Sequence, residues 1–391
     1  MEIRLTSVTF GDEEIAEVLD SLRSGFVTMG EKCRRFEEAF SVCHDGRPAV
    51  FVNSGSSANL LAWFGLFSPS GDGPTGGFPP GAEVIVPAVA WSTTIWPIVQ
   101  AGGVPVLADC DPGTLTIIPE EIEKGISPDT VAVCLVHPLG NVCDMDAITD
   151  ICDRHGLVLM EDTCEALGSA YDSRPAGCFG DVATFSFYFS HHITTIEGGM
   201  ALCRDETLAR NLRILRAHGW SREAGSAAEI PFERRYEFIN TGFNLRPTEI
   251  NGALGLHQIA KLDRFKAARA AAVDRLLQLM TPLIEQGFVQ PMTVSDKVDA
   301  SYFGFSVLCR DKGERDRLVG YLEINQIETR PIICGNMARQ PAMKRFPHRL
   351  VGALEGADHI MDRGLYWGIH PNFSDAHVEY LAKVLSEFKW N

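Results

Sequence analysis

The segment Ser186-Phe187-Tyr188-Phe189-Ser190-His191-His192-Ile193-Thr194-Thr195 sets two adjacent imidazoles in the middle of a stretch that holds no lysine between Lys124 and Lys261. An imidazole moves protons near neutrality, its ordinary pKa being about 6.5, but it cannot form the stable imine that a lysine amine makes with an aldehyde. Three other segments carry groups suited to a flat, phosphorylated heterocycle. In Asn53-Ser54-Gly55-Ser56-Ser57-Ala58-Asn59-Leu60, Gly55 permits close backbone approach, and the hydroxyls and free amides of Ser56 and Ser57 at a helix start suit a phosphate dianion. A strand-to-helix turn with a Ser N-cap explains the same residues equally well. Val158-Leu159-Met160-Glu161-Asp162-Thr163-Cys164-Glu165-Ala166 is an apolar strand ending in acids, where Asp162 can keep a pyridine nitrogen protonated or simply cap a helix. Trp91, just past another strand end, can stack on a flat ring, although a lone Trp is more often core. His137, His218 and His370 read as structural or supporting histidines.

Positioning such groups requires a scaffold, and short apolar runs alternating with helical patterns point to a parallel α/β layer. Strands are expected over 49–52, 83–86, 104–108, 131–136, 158–161, 184–187 and 199–203, several ending in loops rich in Gly, Ser, Pro or Asp. The carboxyl ends of strands in an open sheet are where ligands settle. The Gly- and Pro-rich stretch 68–80 reads as a surface loop without chemistry, and 262–280 as a long helix leaving the sheet. A strand over 303–308 and a helix over 378–388 suggest a smaller second unit.

Taken in order, Gly25-Phe26-Val27-Thr28-Met29-Gly30, Arg35-Phe36-Glu37, residues 53–59, 87–94, 161–168 and 185–199, Thr241-Gly242-Phe243-Asn244-Leu245-Arg246-Pro247 and Glu328-Thr329-Arg330-Pro331 resemble the DegT/DnrJ/EryC1/StrS sugar aminotransferase family over nearly the whole chain. The resemblance implies fold type I of the pyridoxal phosphate (PLP) enzymes: a large α/β domain, residues 1–260, with a central, mostly parallel seven-stranded sheet flanked by helices, and a smaller C-terminal α/β domain, 261–391, on which about the first 25 residues pack. It also implies that Gly55, Ser56 and Ser57 cradle the cofactor phosphate with a hydroxyl from Ser186, that Trp91 stacks on the ring and that Asp162 pairs with its nitrogen. Glu165 stands where most members carry a glutamine near the ring hydroxyl. Asn244 would reach the phosphate of a neighbouring subunit, which implies a homodimer with shared active sites. Arg330 would meet the amino donor's carboxylate or a substrate diphosphate, and His218 is a further candidate for substrate or donor.

The family's aminotransferases carry lysine where His191 stands. That departure, with residues 161–168, 190–194 and 330–341, is similar to a narrower group, the 3-dehydratases of nucleotide-linked 4-keto-6-deoxyhexoses. The expected reaction uses non-covalently held PLP and its amine form, pyridoxamine phosphate (PMP), with His191 as base first and acid afterwards and L-glutamate restoring the amine. His192 is the competitor for that role. A nucleotide-sugar aminotransferase, or a silent PLP-binding protein, is the alternative. A second kind of 3-dehydratase uses an iron–sulfur cluster, but the closely spaced cysteine pair associated with it is missing, the nearest spacings being Cys143/Cys152 and Cys33/Cys43, so no cluster is expected.

Net charge −16 disfavours nucleic acid and anionic membranes as partners. Eleven scattered cysteines argue for a reducing compartment and against a disulfide framework. With no leader-like start and no long apolar run, the reading is a cytoplasmic enzyme without metal.

Overall fold

The computed structural model describes residues 1–67, 77–224 and 231–390. Most of the stretch expected as a surface loop, 68–76, lies outside the described residues, and 77–79 carry no regular structure.

Seven strands arise where the apolar runs predicted them: β1 (Ala49–Val52), β2 (Glu83–Pro87), β3 (Val104–Ala108), β4 (Thr130–Val136), β5 (Val158–Asp162), β6 (Val182–Ser186) and β7 (Gly199–Cys203). In the C-terminal part lie β8 (Val289–Pro291), β9 (Gly304–Cys309), β10 (Thr329–Arg330), β11 (Arg349–Leu350) and β12 (Gly364–Gly368). The large sheet runs β1-β7-β6-β5-β4-β2-β3-β11, so β11 joins the seven expected strands as an eighth. Its pairing with Val106 and Leu107 is parallel, and Arg349 fastens it by a fork onto Glu83 (Nε–Oε1 2.9 Å, Nη2–Oε2 2.6 Å).

Only β7 opposes its neighbours; the other strands point one way. Side chains alternate strictly between two buried faces, as the two-residue repeat of a strand requires. Val50, Val52, Val84, Val86, Leu107, Ala132, Cys134, Met160 and Val182 face one helical layer. Phe51, Ile85, Val106, Val133, Leu135, Leu159 and Phe185 face the other.

A helix over Leu262–Glu285 leads to the antiparallel sheet β8-β9-β12-β10, covered by the helices Lys312–Ile324 and Asp375–Glu387. The N-terminus divides its contacts. Ile3 pairs with Ile327 beside β10, its N–H donating to the Gln326 carbonyl at 2.8 Å, whereas the helix Asp12–Ser24 lies against Glu249–Ile259, where Glu14 accepts from Gln258 and Lys261.

Candidate active site

Because seven of the eight strands share a direction, their carboxyl ends converge, and a cavity of about 640 Å³ opens there. Gly55, Ser56, Trp91, Asp162, Glu165, Ser186, His191 and Arg330 line it together. A larger cavity, of about 970 Å³, sits at the opposite end of the sheet beside Leu157, Val158 and Asp181 and contains none of these groups.

Asp162 ends β5 and is buried. Its Oδ2 accepts from Asn59 Nδ2 at 3.0 Å and Thr94 Oγ1 at 2.7 Å, and its Oδ1 from the Cys164 N–H at 3.2 Å. Asn59 is itself held by Thr184 Oγ1 at 2.6 Å, so the carboxylate has a fixed orientation. Asn59 and Thr94 were not anticipated. The polar Asn59 inside the apolar helix Gly55–Phe67 was the available signal.

At the start of that helix Ser54 is the cap: its Oγ accepts from the Ser57 N–H at 3.1 Å and donates to Ser57 Oγ at 2.9 Å. Ser57 is thereby engaged and does not line the cavity, while Ser54 does. Ser56 Oγ meets Thr93 Oγ1 at 3.0 Å. A Cβ on Gly55 would stand 2.5 Å from Ser186 Cβ, and one on Gly199 2.3 Å from the Ser54 carbonyl oxygen, so the helix start sits directly against the ends of β6 and β7. The helix N-terminus and the hydroxyls of Ser54, Ser56, Thr93 and Ser186 thus form an anion-accepting corner. Trp91, 56% exposed, presents its indole at the cavity instead of entering the core.

The histidine segment is a loop, not the extended strand expected up to Phe187, because β6 ends at Ser186. His191 Nδ1 lies 2.7 Å from the Cys164 carbonyl. A carbonyl only accepts, so Nδ1 carries the hydrogen and Nε2 the lone pair. The ring packs edge-on against Phe303, centroids 5.1 Å apart. Burial pushes its pKa down to about 4, against the opposing pull of the Cys164 carbonyl and the Asp162 charge. The near-neutral value expected from an ordinary histidine is therefore corrected: the site desolvates the imidazolium. His192 turns away, fully buried, its Nε2–H donating to the Ser301 carbonyl at 2.7 Å.

Glu165 Oε2 accepts from the Leu139 N–H at 3.0 Å, and burial, reinforced by the Asp162 charge, pushes its pKa up to about 7. His137 is structural: its Nδ1 accepts from the Cys143 N–H at 3.2 Å, leaving Nε2–H to donate to the buried Glu161 at 3.1 Å. Arg330 Nη1 donates to the Thr329 carbonyl at 2.8 Å. Asn244 and His218 are exposed and lie outside the cavity of their own chain, on two segments that pair through Ala217 and Asn244.

No lysine is among the lining residues. Lys261 is tied to Glu14, and Lys266 to Asp299 and the Gly168 carbonyl. A planar, phosphorylated pyridine fits what remains: an indole for its face, a fixed carboxylate for its nitrogen and an anion-accepting corner for its phosphate. Among the described residues no cluster of His, Cys, Asp and Glu could hold a metal ion, and no helix is long and apolar enough to cross a membrane.

Sheet, cavity and donor set together define a fold type I PLP protein. The DegT/DnrJ/EryC1/StrS aminotransferase family model matches residues 9–386, and the chain belongs to that family. It is 35% identical to a dTDP-4-dehydro-2,6-dideoxy-D-glucose 3-dehydratase of Saccharopolyspora spinosa, over 99% of this chain and 86% of that one. With a GDP-4-keto-6-deoxy-D-mannose 3-dehydratase of Yersinia pseudotuberculosis it shares 34% identity, over 98% of each. Among solved structures, the Escherichia coli GDP-4-keto-6-deoxy-D-mannose-3-dehydratase with bound hydrated PLP superposes with a TM-score of 0.92 at 33% identity, covering 98% of this chain and 99% of that one.

Proposed function

We propose that the protein is a PLP-dependent 3-dehydratase that removes the C3 hydroxyl of a nucleotide-linked 4-keto-6-deoxyhexose, with L-glutamate as amino donor. One observation supports the reading: the cavity brings Asp162, Trp91, Ser186 and His191 together with no lysine among its lining residues, and the family resemblance sets a lysine at the place of His191. The full-length likeness to enzymes named as 3-dehydratases supports it.

When bound as its amine, the cofactor would supply an electron sink that lets the hydroxyl beside the sugar's keto carbon leave. The protein supplies position and proton transfer. Asp162, held by Asn59 and Thr94, would hold the ring nitrogen, Trp91 would cover the ring, and Ser54, Gly55, Ser56 and Ser186 would take the phosphate. His191 offers Nε2 as the base, neutral because burial disfavours its charged form. With no amine on the wall, nothing captures the aldehyde form, so elimination is not diverted into amino transfer. Arg330, at the cavity rim, binds the donor's carboxylate or the substrate's diphosphate.

The chain works as a homodimer in which Asn244, exposed in one subunit, reaches the other's site, with His218 a candidate contact for substrate or donor. We divide it into a large unit, 1–260, and a small one, 261–391, and place it in the cytoplasm among enzymes that build deoxysugars. Incubation with PLP, L-glutamate and a nucleotide 4-keto-6-deoxyhexose tests the reading: a 3,6-dideoxy-4-keto sugar and free ammonia should appear. A stable 4-amino sugar without ammonia would mark an aminotransferase instead.

A further inference from the structure

His191 and Glu165 are set by one short segment, since the Cys164 carbonyl orients the imidazole and the next residue places a carboxyl on the same cavity wall. The imidazole cannot easily travel between two reacting atoms. Its Nδ1–H is committed at 2.7 Å, and the rings of Phe303 and Tyr188 stand edge-on to it at 5.1 and 6.2 Å. Removing a proton from carbon and delivering one to a departing oxygen are tasks for two places.

We propose that Glu165 is the acid of the reaction: its carboxyl hands its hydrogen to the oxygen leaving sugar C3, while His191 Nε2 takes the proton removed at carbon. This rests on the dehydratase reading above and divides a role that one histidine would otherwise fill twice. The C3–O bond breaks with its electron pair on oxygen, the Glu165 O–H bond breaks as the new O–H bond forms, and water departs. His191 then releases its proton to solvent and Glu165 regains one; counted over the sugar and the amine cofactor together one water has left, the amine form would supply the two electrons by which the sugar is deoxygenated, and L-glutamate restores it.

Burial and the neighbouring Asp162 charge favour the neutral acid at Glu165. One oxygen is fixed by the Leu139 N–H at 3.0 Å, and the residue lines the cavity. That amide is aimed by an unusual turn, with Leu139 in the left-handed region (φ 50°, ψ 27°) and Gly140 at φ 95°. A Cβ on Gly140 would stand 2.1 Å from the Ser301 carbonyl oxygen. A left-handed leucine costs on the order of 1–2 kcal/mol, so the turn is held by its surroundings.

The groups around the carboxyl are Asp162 and Cys164 from its own segment, Cys334 and Tyr366 from the C-terminal part, and His191 and Arg330 elsewhere in the cavity lining. Among the described residues no basic side chain makes an ion pair with it; the charge acting on it is the like charge of Asp162. The Leu139 N–H favours the ionised form, but burial outweighs it. Two groups whose surroundings push them in opposite directions, an acid up to about 7 and a base down to about 4, are the pattern of a divided acid and base.

Glu165→Gln keeps the size, an acceptor for Leu139 and a donor toward the cavity, but has no proton to release. Deoxysugar formation should fall by roughly 10²- to 10⁴-fold. The absorbance change of the PLP-loaded protein with L-glutamate should stay within a few-fold of wild type. Without cofactor or substrate, infrared spectra should show a protonated-carboxyl band in wild type below neutrality that is lost on alkalinisation and absent from the variant. Wild-type dehydration by Glu165→Gln, an equal loss in both half-reactions, or a carboxyl already ionised in mild acid would each overturn the assignment. Formation of an amino sugar by wild type would instead overturn the dehydratase reading on which it rests.

Discussion

His191 and His192 are neighbours with opposite surroundings, and each is fixed by a carbonyl: Cys164 for the first, Ser301 for the second. His191→Asn should cost the roughly 10²- to 10⁴-fold that positioned proton transfer provides, with the fold retained. His192→Asn should keep most turnover but lower stability by about 1–3 kcal/mol, because it strips a buried hydrogen bond from the Ser301 carbonyl. Turnover assays and thermal melts on the two variants check this, and the reverse pattern would exchange their roles. The pH dependence has a definite sign. A histidine lowered from 6.5 to about 4 binds fewer protons folded than unfolded, so its stabilisation is full above 6.5 and is lost as pH falls toward 4. Glu165, raised from 4.5 to about 7, acts oppositely: the folded state binds more protons, and stability falls as pH rises from 4.5 through 7. Melting temperatures of His191→Asn should therefore depend less on acid than those of wild type, and Glu165→Gln less on base between those limits.

At the scale of elements, the site is a consequence of strand direction. Asp162 terminates β5, Ser186 terminates β6, Gly55 follows β1 and Trp91 follows β2, and parallel packing brings those ends to one place. This much was legible in the sequence because apolar runs ending in Ser, Gly or Asp name both the strand and its ligand-bearing end. Three features were not. The partners of Asp162, Asn59 and Thr94, lie on separate helices, and their convergence is a tertiary fact. The two-residue β11 is too short for any periodicity and depends on an ion pair with Glu83, far away in the chain. The depressed pKa of His191 comes from enclosure by Phe303 and its neighbours, which residue type alone does not convey. Gly55 shows how tightly these elements meet: Gly55→Ala would press a methyl onto Ser186 Cβ at 2.5 Å. Overpacking of this kind costs about 1–3 kcal/mol. The variant should bind PLP more weakly in equilibrium dialysis while His191 is untouched; unchanged affinity would remove the helix start from the phosphate site.

Over the whole molecule, the large and small sheets close on the cavity from two sides, with Phe303, Arg330 and Tyr366 from the C-terminal part facing Asp162, Ser186 and His191 from the N-terminal part. Leu5 and Thr6 add an edge, held where the Leu5 N–H donates to Glu328 Oε2 at 2.9 Å. Asn244 and His218 stand outside this enclosure, consistent with the proposal that a second subunit completes the site. The chain keeps the family fold, and on the proposed reading an imidazole in place of an anchoring amine decides the outcome of the reaction. It is tested most directly by treating the PLP-loaded wild-type protein with borohydride, unfolding it and weighing the intact chain. The account predicts the mass of the unmodified polypeptide, with all cofactor released. A pyridoxyl group covalently fixed to any lysine would contradict it.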